Sequence, residues 1–109
     1  MTGKFTLFTG KNGSIYFNLK ASNGQIILQS QGYKDRGGAT NGIESVRKNA
    51  GDAAHYEKKP TDNGKFHFNL KAGNGQVIGA SQTYESERAC DEGIASVMKN
   101  APEAALVEE

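Results

Sequence analysis

Several residue types are scarce in this chain, and each scarcity excludes a class of protein. There is no tryptophan and only one cysteine, Cys90, among the 109 residues. A single cysteine excludes an internal disulfide and a zinc site built from several thiolates. No apolar run is long enough for a membrane span or a signal peptide. We therefore expect a cytoplasmic protein with no membrane partner.

The net charge is small, but the charged residues are unevenly distributed. The net charge is +1 at pH 7, which gives no indication of a nucleic-acid partner. Residues 1–54 carry seven Lys/Arg and three Asp/Glu, whereas residues 55–109 carry six and nine. This difference is either solvated surface charge that drifted after a duplication or the source of a salt-sensitive head-to-tail attraction between molecules.

The chain contains two copies of one sequence pattern. Residues 17–53 align without a gap on residues 68–104, and 20 of these 37 positions are identical. Two copies are too few for a solenoid, but they suit two units packed about a pseudo-two-fold axis. We predict a single domain over residues 1–109, made of two repeats at about 1–54 and 55–109.

Each copy opens with the pattern of a three-stranded antiparallel meander. The middle strand alternates in polarity with period two, as a half-buried strand does. Asn-Gly pairs precede and follow this strand in both copies, and they predict tight hairpins. The residues predicted to face inward are Ile15, Phe17, Leu19, Ala21, Phe66, Phe68, Leu70 and Ala72.

The register of the third strand depends on the second hairpin loop. A two-residue Asn-Gly turn places Leu28 opposite Leu19, whereas a three-residue loop with a glycine bulge places Ile27 opposite Leu19. The second copy keeps Ile27 as Ile78 but replaces Leu28 by Gly79. A core position rarely tolerates both Leu and Gly. We therefore favour the bulged loop, with Ile27 and Ile78 inside.

A helix follows the strands in each copy. The N-cap is predicted at Asp35 in the first copy and at Ser86 in the second. The helix is predicted to end at Gly51 in the first copy and at Pro102 in the second. The apolar stripes at helical spacing are Ala39, Ile43, Val46 and Ala50 in the first copy and Cys90, Ile94, Val97 and Ala101 in the second.

Two further positions carry predictions about packing. Gly42 and Gly93 lie in the middle of the predicted helices, where glycine costs up to about 1 kcal/mol relative to alanine. Glycine at both sites indicates a close approach of each helix to the sheet or to the other helix.

After the second helix, Leu106 and Val107 form either a short strand or a frayed end.

The predicted fold class is α+β. Two tandem β-β-β-α repeats are related by pseudo-two-fold symmetry, and they form an antiparallel sheet with the helices packed on one face.

The motifs that recur in both copies resemble those of a known family. The pattern "FNLKA.NGQ.I..SQ.Y", followed by "GI.SV.KNA", is similar to that of the YegP-like family, a bacterial domain of unknown function in tandem-repeat form. The resemblance covers nearly the whole chain and implies one α+β domain of β-rich-then-helix repeats. It implies no activity, substrate or catalytic residue. Gly79, Ala80 and the acidic start of the second helix depart from the pattern and make the two halves chemically unequal.

No sequence motif predicts an enzyme. His55 and His67 do not recur in the other copy, and Cys90 aligns with Ala39 on the buried stripe, where a thiol is inert. Metal-ligand spacing and a phosphate-binding loop are both absent, so we predict no cofactor, no metal and no catalytic residue. A triad assembled in space is the remaining route to an enzyme. The helix start at residues 36–38 is the remaining candidate for an anion site.

The outward side chains of the two middle strands form the candidate interaction surface. They are Tyr16, Asn18, Lys20, His67, Asn69 and Lys71. Aromatic rings beside lysines on a sheet face are typical of platforms that stack single-stranded nucleic acid, but any solvated antiparallel sheet face carries similar residues. Other polar residues shared by the copies, such as Ser30 and Tyr33, are interpreted as structural.

These observations predict an uncharacterised small cytoplasmic protein that acts as a non-catalytic interaction or structural module. Its partner is unknown, with another protein as the first candidate, and it is a monomer or a weak dimer. The alternative is a weak single-stranded nucleic-acid binder that uses the polar sheet face. An enzyme of unknown class comes third.

Overall fold

The computed structural model describes residues 3–108, which form one mixed sheet and two long helices. The strands are β1 (Lys4–Thr9), β2 (Ile15–Lys20), β3 (Ile26–Gln29), β4 (Tyr56–Pro60), β5 (Phe66–Lys71), β6 (Val77–Ala80) and β7 (Ala105–Glu108). The helices are α1 (Arg36–Asn49) and α2 (Glu87–Asn100). A short 3-10 turn follows each helix, at Ala53–His55 and Ala101–Glu103. The predicted α+β fold of two β-β-β-α repeats is confirmed.

The sheet joins the two copies at its centre. Its strand order is β4-β5-β6-β3-β2-β1-β7, and β3 pairs with β6 at Gln29 and Ala80. Each copy is thus an antiparallel meander whose third strand meets that of the other copy. The sheet departs from the predicted antiparallel arrangement at one edge, because β7 pairs with β1 in parallel. Leu106 and Val107 therefore lie in a strand.

The helices begin where the sequence predicts. The Asp35 carboxylate accepts a hydrogen bond from the Gly38 N–H at 2.7 Å, and the Ser86 hydroxyl accepts one from the Ala89 N–H at 3.1 Å. Each cap satisfies a backbone donor that has no partner within the helix.

The predicted register of the third strand is wrong, although the predicted loop is present. Residues 21–25 form the glycine-bulge loop, in which Gly24 has a φ of 88°. The Cα partner of Leu19 is nevertheless Leu28 and not Ile27. The ladder shifts by one residue just beyond Leu19, so Ile27 is the extra residue of a β-bulge. Because of the bulge, Ile27 is buried as predicted, and so is Leu28.

The Leu–Gly difference between the copies has a packing cause. An ideal Cβ at Gly79 would lie 2.7 Å from Cγ of Leu28. Since β3 and β6 are neighbours, these two equivalent positions share one volume near the pseudo-two-fold axis, and a single leucine fills it. The expectation that one core position does not accept both Leu and Gly fails here, because Leu28 and Gly79 are in contact and are not independent sites.

The close approach predicted at the mid-helix glycines is made by tyrosine rings. An ideal Cβ at Gly42 would lie 2.8 Å from Cζ of Tyr33, whose ring stacks on Phe17 with centroids 6.1 Å apart. Gly93 and Tyr84 repeat this contact in the second copy. Each ring fills the layer between helix and sheet, and burial raises the pKa of both phenols.

Candidate functional site

One face of the sheet carries the helices, and the other face, here called the open face, carries the predicted interaction surface. A single row of Cα partners crosses the open face with one residue from each strand. In order, the row is Glu57, Asn69, Ala80, Gln29, Asn18, Thr6 and Val107. Asn18 and Asn69 lie symmetrically about its centre, three strand spacings or about 14 Å apart.

The two asparagines differ from the shared serines and from the shared asparagines at the helix ends. Both side chains are half-buried, and neither forms a hydrogen bond with any residue of the described range 3–108. An asparagine amide offers two N–H donors and one carbonyl acceptor, so each side chain has its full bonding capacity available.

The shared serines, in contrast, are used within the fold. The Ser30 hydroxyl accepts a hydrogen bond from the Phe17 N–H at 2.9 Å and donates one to the Gln31 carbonyl at 2.8 Å. Ser81 makes the equivalent pair of hydrogen bonds in the second copy. Each hydroxyl thus bonds main-chain groups where the chain leaves the sheet, which explains its presence in both copies.

The shared asparagines at the helix ends are structural as well. Asn49 and Asn100 are buried, and each side-chain amide donates to a carbonyl four residues earlier, that of Ser45 or Ser96, at 2.8 Å. Packing and backbone hydrogen bonding account for these residues without a ligand.

The structure does not bring the two predicted lysines together. β2 and β5 run antiparallel to each other, so Lys20 and Lys71 lie on opposite sides of the row and about 20 Å apart. Lys71 forms an ion pair with Glu57 at 3.2 Å, and the hydrogen bond from Lys71 is the main cause of the lowered pKa of Glu57. The first copy has Thr6 in the place of Glu57.

Tyr16 is placed on the open face, but its ring is already in use. The ring stacks on Phe8 with centroids 5.8 Å apart and an interplanar angle of 19°. Its hydroxyl accepts a hydrogen bond from the Asn12 amide at 3.2 Å, and an ideal Cβ at Gly32 would lie 3.2 Å from that same oxygen. The predicted stacking platform for bases is therefore weakened, because the Tyr16 ring packs within the protein.

Two residues of the open face, Phe8 and Gln29, were not predicted from the sequence. Both border a concavity of about 280 Å³ beside Tyr16 and Asn18. Neither recurs in the second copy, so a comparison of the copies does not select them. The alternation of the first strand could have identified Phe8, since that strand reads inward and outward with period two.

The three residues considered for catalysis do not form a common site. His67 lies on the open face. Cys90 lies on the buried side of α2, on the opposite face of the sheet, and burial raises the pKa of its thiol. His55 is close to Asp52, with Nε2 and Oδ2 3.9 Å apart. Within residues 3–108, no three His, Cys, Asp or Glu side chains are placed to hold a metal ion.

Two further observations concern helices. The candidate anion site at residues 36–38 lies at the start of α1, where the Asp35 carboxylate already binds a backbone N–H. In the described part of the chain, no helix combines the length and the apolar character required to cross a bilayer.

Residues 11–57 and 62–108 each match the model of a domain of unknown function, DUF1508. The chain belongs to the DUF1508 family. This DUF1508 chain is 56% identical over 108 residues to a UPF0339 protein in the ptx operon 5′ region of Stutzerimonas stutzeri, covering 99% of the chain and 97% of that protein. It is 49% identical over 98 residues to the UPF0339 protein YegP of Yersinia pestis, covering 90% and 88%. The predicted resemblance to the YegP-like family is confirmed.

A solved structure shows the same fold as the DUF1508 chain described here. The solution NMR structure of the protein of unknown function yegP from E. coli has a TM-score of 0.94 and 43% sequence identity, covering 100% of this chain and 94% of that one. The names of these relatives state no catalytic activity, so the similarities establish the family and the fold.

Proposed function

We propose that this protein is a non-catalytic interaction module that binds another protein through the open face of its sheet. One observation carries the proposal: Asn18 and Asn69 are identical in both copies, lie on the helix-free face and form no hydrogen bond with a described residue. Ser30 and Asn49, in contrast, are shared polar residues whose side chains bond within the fold. The two amides on the open face have no such role and are available to a partner.

The partner is proposed to be a protein because the centre of the open face carries amides, whereas its lysines lie away from that centre. The central row of Cα partners from Asn69 through Ala80 and Gln29 to Asn18 contains no charged residue. Amide side chains give hydrogen-bond recognition without a strong electrostatic contribution. We further propose that the module acts in the cytoplasm, as a monomer or weak dimer, with residues 1–109 as one domain.

Site-specific photo-cross-linking in the native cell tests this proposal. A benzophenone amino acid replaces exposed Gln29 on the open face or, as the matched control, exposed Asn41 on the outer face of α1. We expect a discrete protein adduct from position 29 that is absent from position 41. The same adducts from both positions, or an adduct from position 41 alone, would contradict a binding role for the open face.

Single-stranded nucleic acid is the second candidate, and the outward placement of Lys20, His67 and Lys71 is the observation that favours it. Contacts with phosphates release counterions, so such binding weakens steeply as salt is raised. Mixing the chain with single-stranded DNA and RNA at low and high salt decides the question. A salt-sensitive shift at micromolar protein supports this candidate, and its absence removes it.

A further inference from the structure

Two concavities meet at the centre of the open face, and none of the residues that line them is charged. The first, of about 280 Å³, is lined by Phe8, Tyr16, Asn18, Gln29 and Ser30. The second, of about 200 Å³, is lined by Gln29, Ser30, Gln31, Val77, Gly79 and Ala80. Because they share Gln29 and Ser30, they form one shallow depression across β2, β3 and β6, which we call the central channel.

The polar floor of the central channel consists of side-chain amides. Asn18 and Gln29 are Cα partners on adjacent strands, so their Cβ atoms lie about 5 Å apart. Neither side chain forms a hydrogen bond with a residue in the range 3–108. Each amide both donates and accepts, as does a peptide group with its N–H and C=O. The floor therefore matches the backbone of an extended chain better than it matches a charged group.

The two ends of the central channel are apolar. The stacked rings of Phe8 and Tyr16 form one end, and Val77, which is 38% exposed, lies at the other. Tyr16 and Val77 lie on strands two spacings apart, or about 10 Å, which about three residues of an extended polypeptide span.

We propose that the central channel binds an extended, uncharged segment of polypeptide about three residues long. Its peptide groups hydrogen-bond to Asn18 and Gln29, and its aliphatic side chains contact Phe8 and Tyr16 at one end and Val77 at the other. The inference rests on the proposed function and specifies which part of the partner the open face holds. Bases fit less well, because they stack on open ring faces and one face of the Tyr16 ring is already covered by Phe8.

The central channel is asymmetric, so one chain holds one segment. The second-copy equivalents of Phe8, Tyr16 and Gln29 are Lys59, His67 and Ala80. These replacements remove the ring pair and one of the two amides. Asn41, which is exposed on the outer face of α1 and away from the open face, provides the control.

The test is a titration of the ¹⁵N-labelled full chain with the blocked tripeptide N-acetyl-Leu-Ala-Leu-N-methylamide, followed by NMR. Parallel titrations use maltotriose and a short oligothymidine. We expect saturable shifts of the side-chain amide signals of Asn18 and Gln29 with the tripeptide, at one peptide per chain. Asn18→Ala and Gln29→Ala should each weaken binding about three- to tenfold, the value of one hydrogen bond. Asn41→Ala, on the outer face of α1, should leave the affinity unchanged.

Several results would overturn the inference: no peptide-induced shift at Asn18 or Gln29, an equal loss in Asn41→Ala, or shifts of the Asn18 and Gln29 signals with only the sugar or the oligothymidine. Gln29 is exposed, so Gln29→Ala carries the test even if Asn18→Ala perturbs folding. If this titration fails but position 29 still cross-links, the central channel does not bind an extended polypeptide segment. The proposal that the open face binds a protein would then still stand. Loss of the cross-link itself would reject the proposed function.

Discussion

Leu28 of β3 occupies the space that a side chain at Gly79 of β6 would need. The two positions are equivalent in the two copies, and an ideal Cβ at residue 79 would lie 2.7 Å from Cγ of Leu28. An exact two-fold repeat would place two leucines or two glycines at this point. Two leucines overfill the space and two glycines leave a cavity, so the difference between the copies makes the joint between β3 and β6 well packed.

Gly79→Leu should therefore lower the free energy of unfolding by about 1–3 kcal/mol, the usual cost of overpacking. Leu28→Gly should cost at least the roughly 2–5 kcal/mol of a buried Leu→Ala change. The double variant that exchanges the two residues should lose less stability than the sum of the single losses, because one leucine again fills the shared volume. Urea denaturation of the four chains measures this coupling, and additive losses would show that the two sites do not share one space.

Gly42→Ala should destabilise the protein although alanine is the better helix former. The added methyl group would meet the Tyr33 ring, which is held against Phe17, and overpacking of this kind costs about 1–3 kcal/mol. Gly37→Ala in the same helix is the control, because a Cβ at that position would lie 3.5 Å from Oδ1 of Asp35, an ordinary van der Waals contact. We expect it to be neutral or to stabilise by up to about 1 kcal/mol. Equal thermal unfolding midpoints for the two variants would contradict the contact with Tyr33.

The polar residues shared by the copies should fall into two groups according to the stability lost when each is changed to alanine. Ser30→Ala leaves the Phe17 N–H without its side-chain acceptor and should cost about 1–3 kcal/mol. Asn18→Ala removes no hydrogen bond with a described residue and should change stability by less than about 0.5 kcal/mol. Chemical denaturation measures both. If Asn18→Ala costs as much as Ser30→Ala, Asn18 is a structural residue and its recurrence as Asn69 requires no ligand.

Stability should fall at alkaline pH because of buried phenols, with Tyr56 as the clearest case. Its hydroxyl donates to the Ala50 carbonyl at 2.7 Å, and burial raises its pKa above the usual value of 10.0. Because the pKa is raised in the folded state, the stability contributed by the protonated Tyr56 hydroxyl is fully present below pH 10.0. It is lost progressively as the pH rises above that value. Tyr56→Phe should cost about 0.5–1.5 kcal/mol at neutral pH and show a shallower alkaline decline. Urea unfolding from neutral to about pH 11 measures both effects, and an identical decline in the variant would exclude Tyr56 as its source.

The local structure was predictable because its causes are local. The cap at Asp35 and the stripe through Val46 depend on residues within a few turns of one helix. The alternation around Phe17 depends on one strand. The register of β3 was not predictable in the same way, because the comparison of the copies treated Leu28 and Gly79 as independent sites, whereas they share one volume where β3 pairs with β6.

The candidate site was predictable only in part for a similar reason. Alternation along one strand predicts that Asn18 points outward, and the repeat predicts the same for Asn69. The pairing of β3 with β6 then places Gln29 between them, and that pairing joins segments 51 residues apart at Gln29 and Ala80. Phe8 was missed because the second copy has lysine at the equivalent position.

The open face of the sheet, rather than the helix face, is proposed as the binding surface of this protein. The affinity of the cross-linked partner for three chains tests this most directly: the unaltered protein, the double variant Asn18→Ala/Asn69→Ala, and Asn41→Ala on α1. We expect binding to the double variant to be at least about tenfold weaker, or about 1.4 kcal/mol, with Asn41→Ala unchanged. Equal affinity for the unaltered protein and the double variant, or a loss confined to Asn41→Ala, would contradict it.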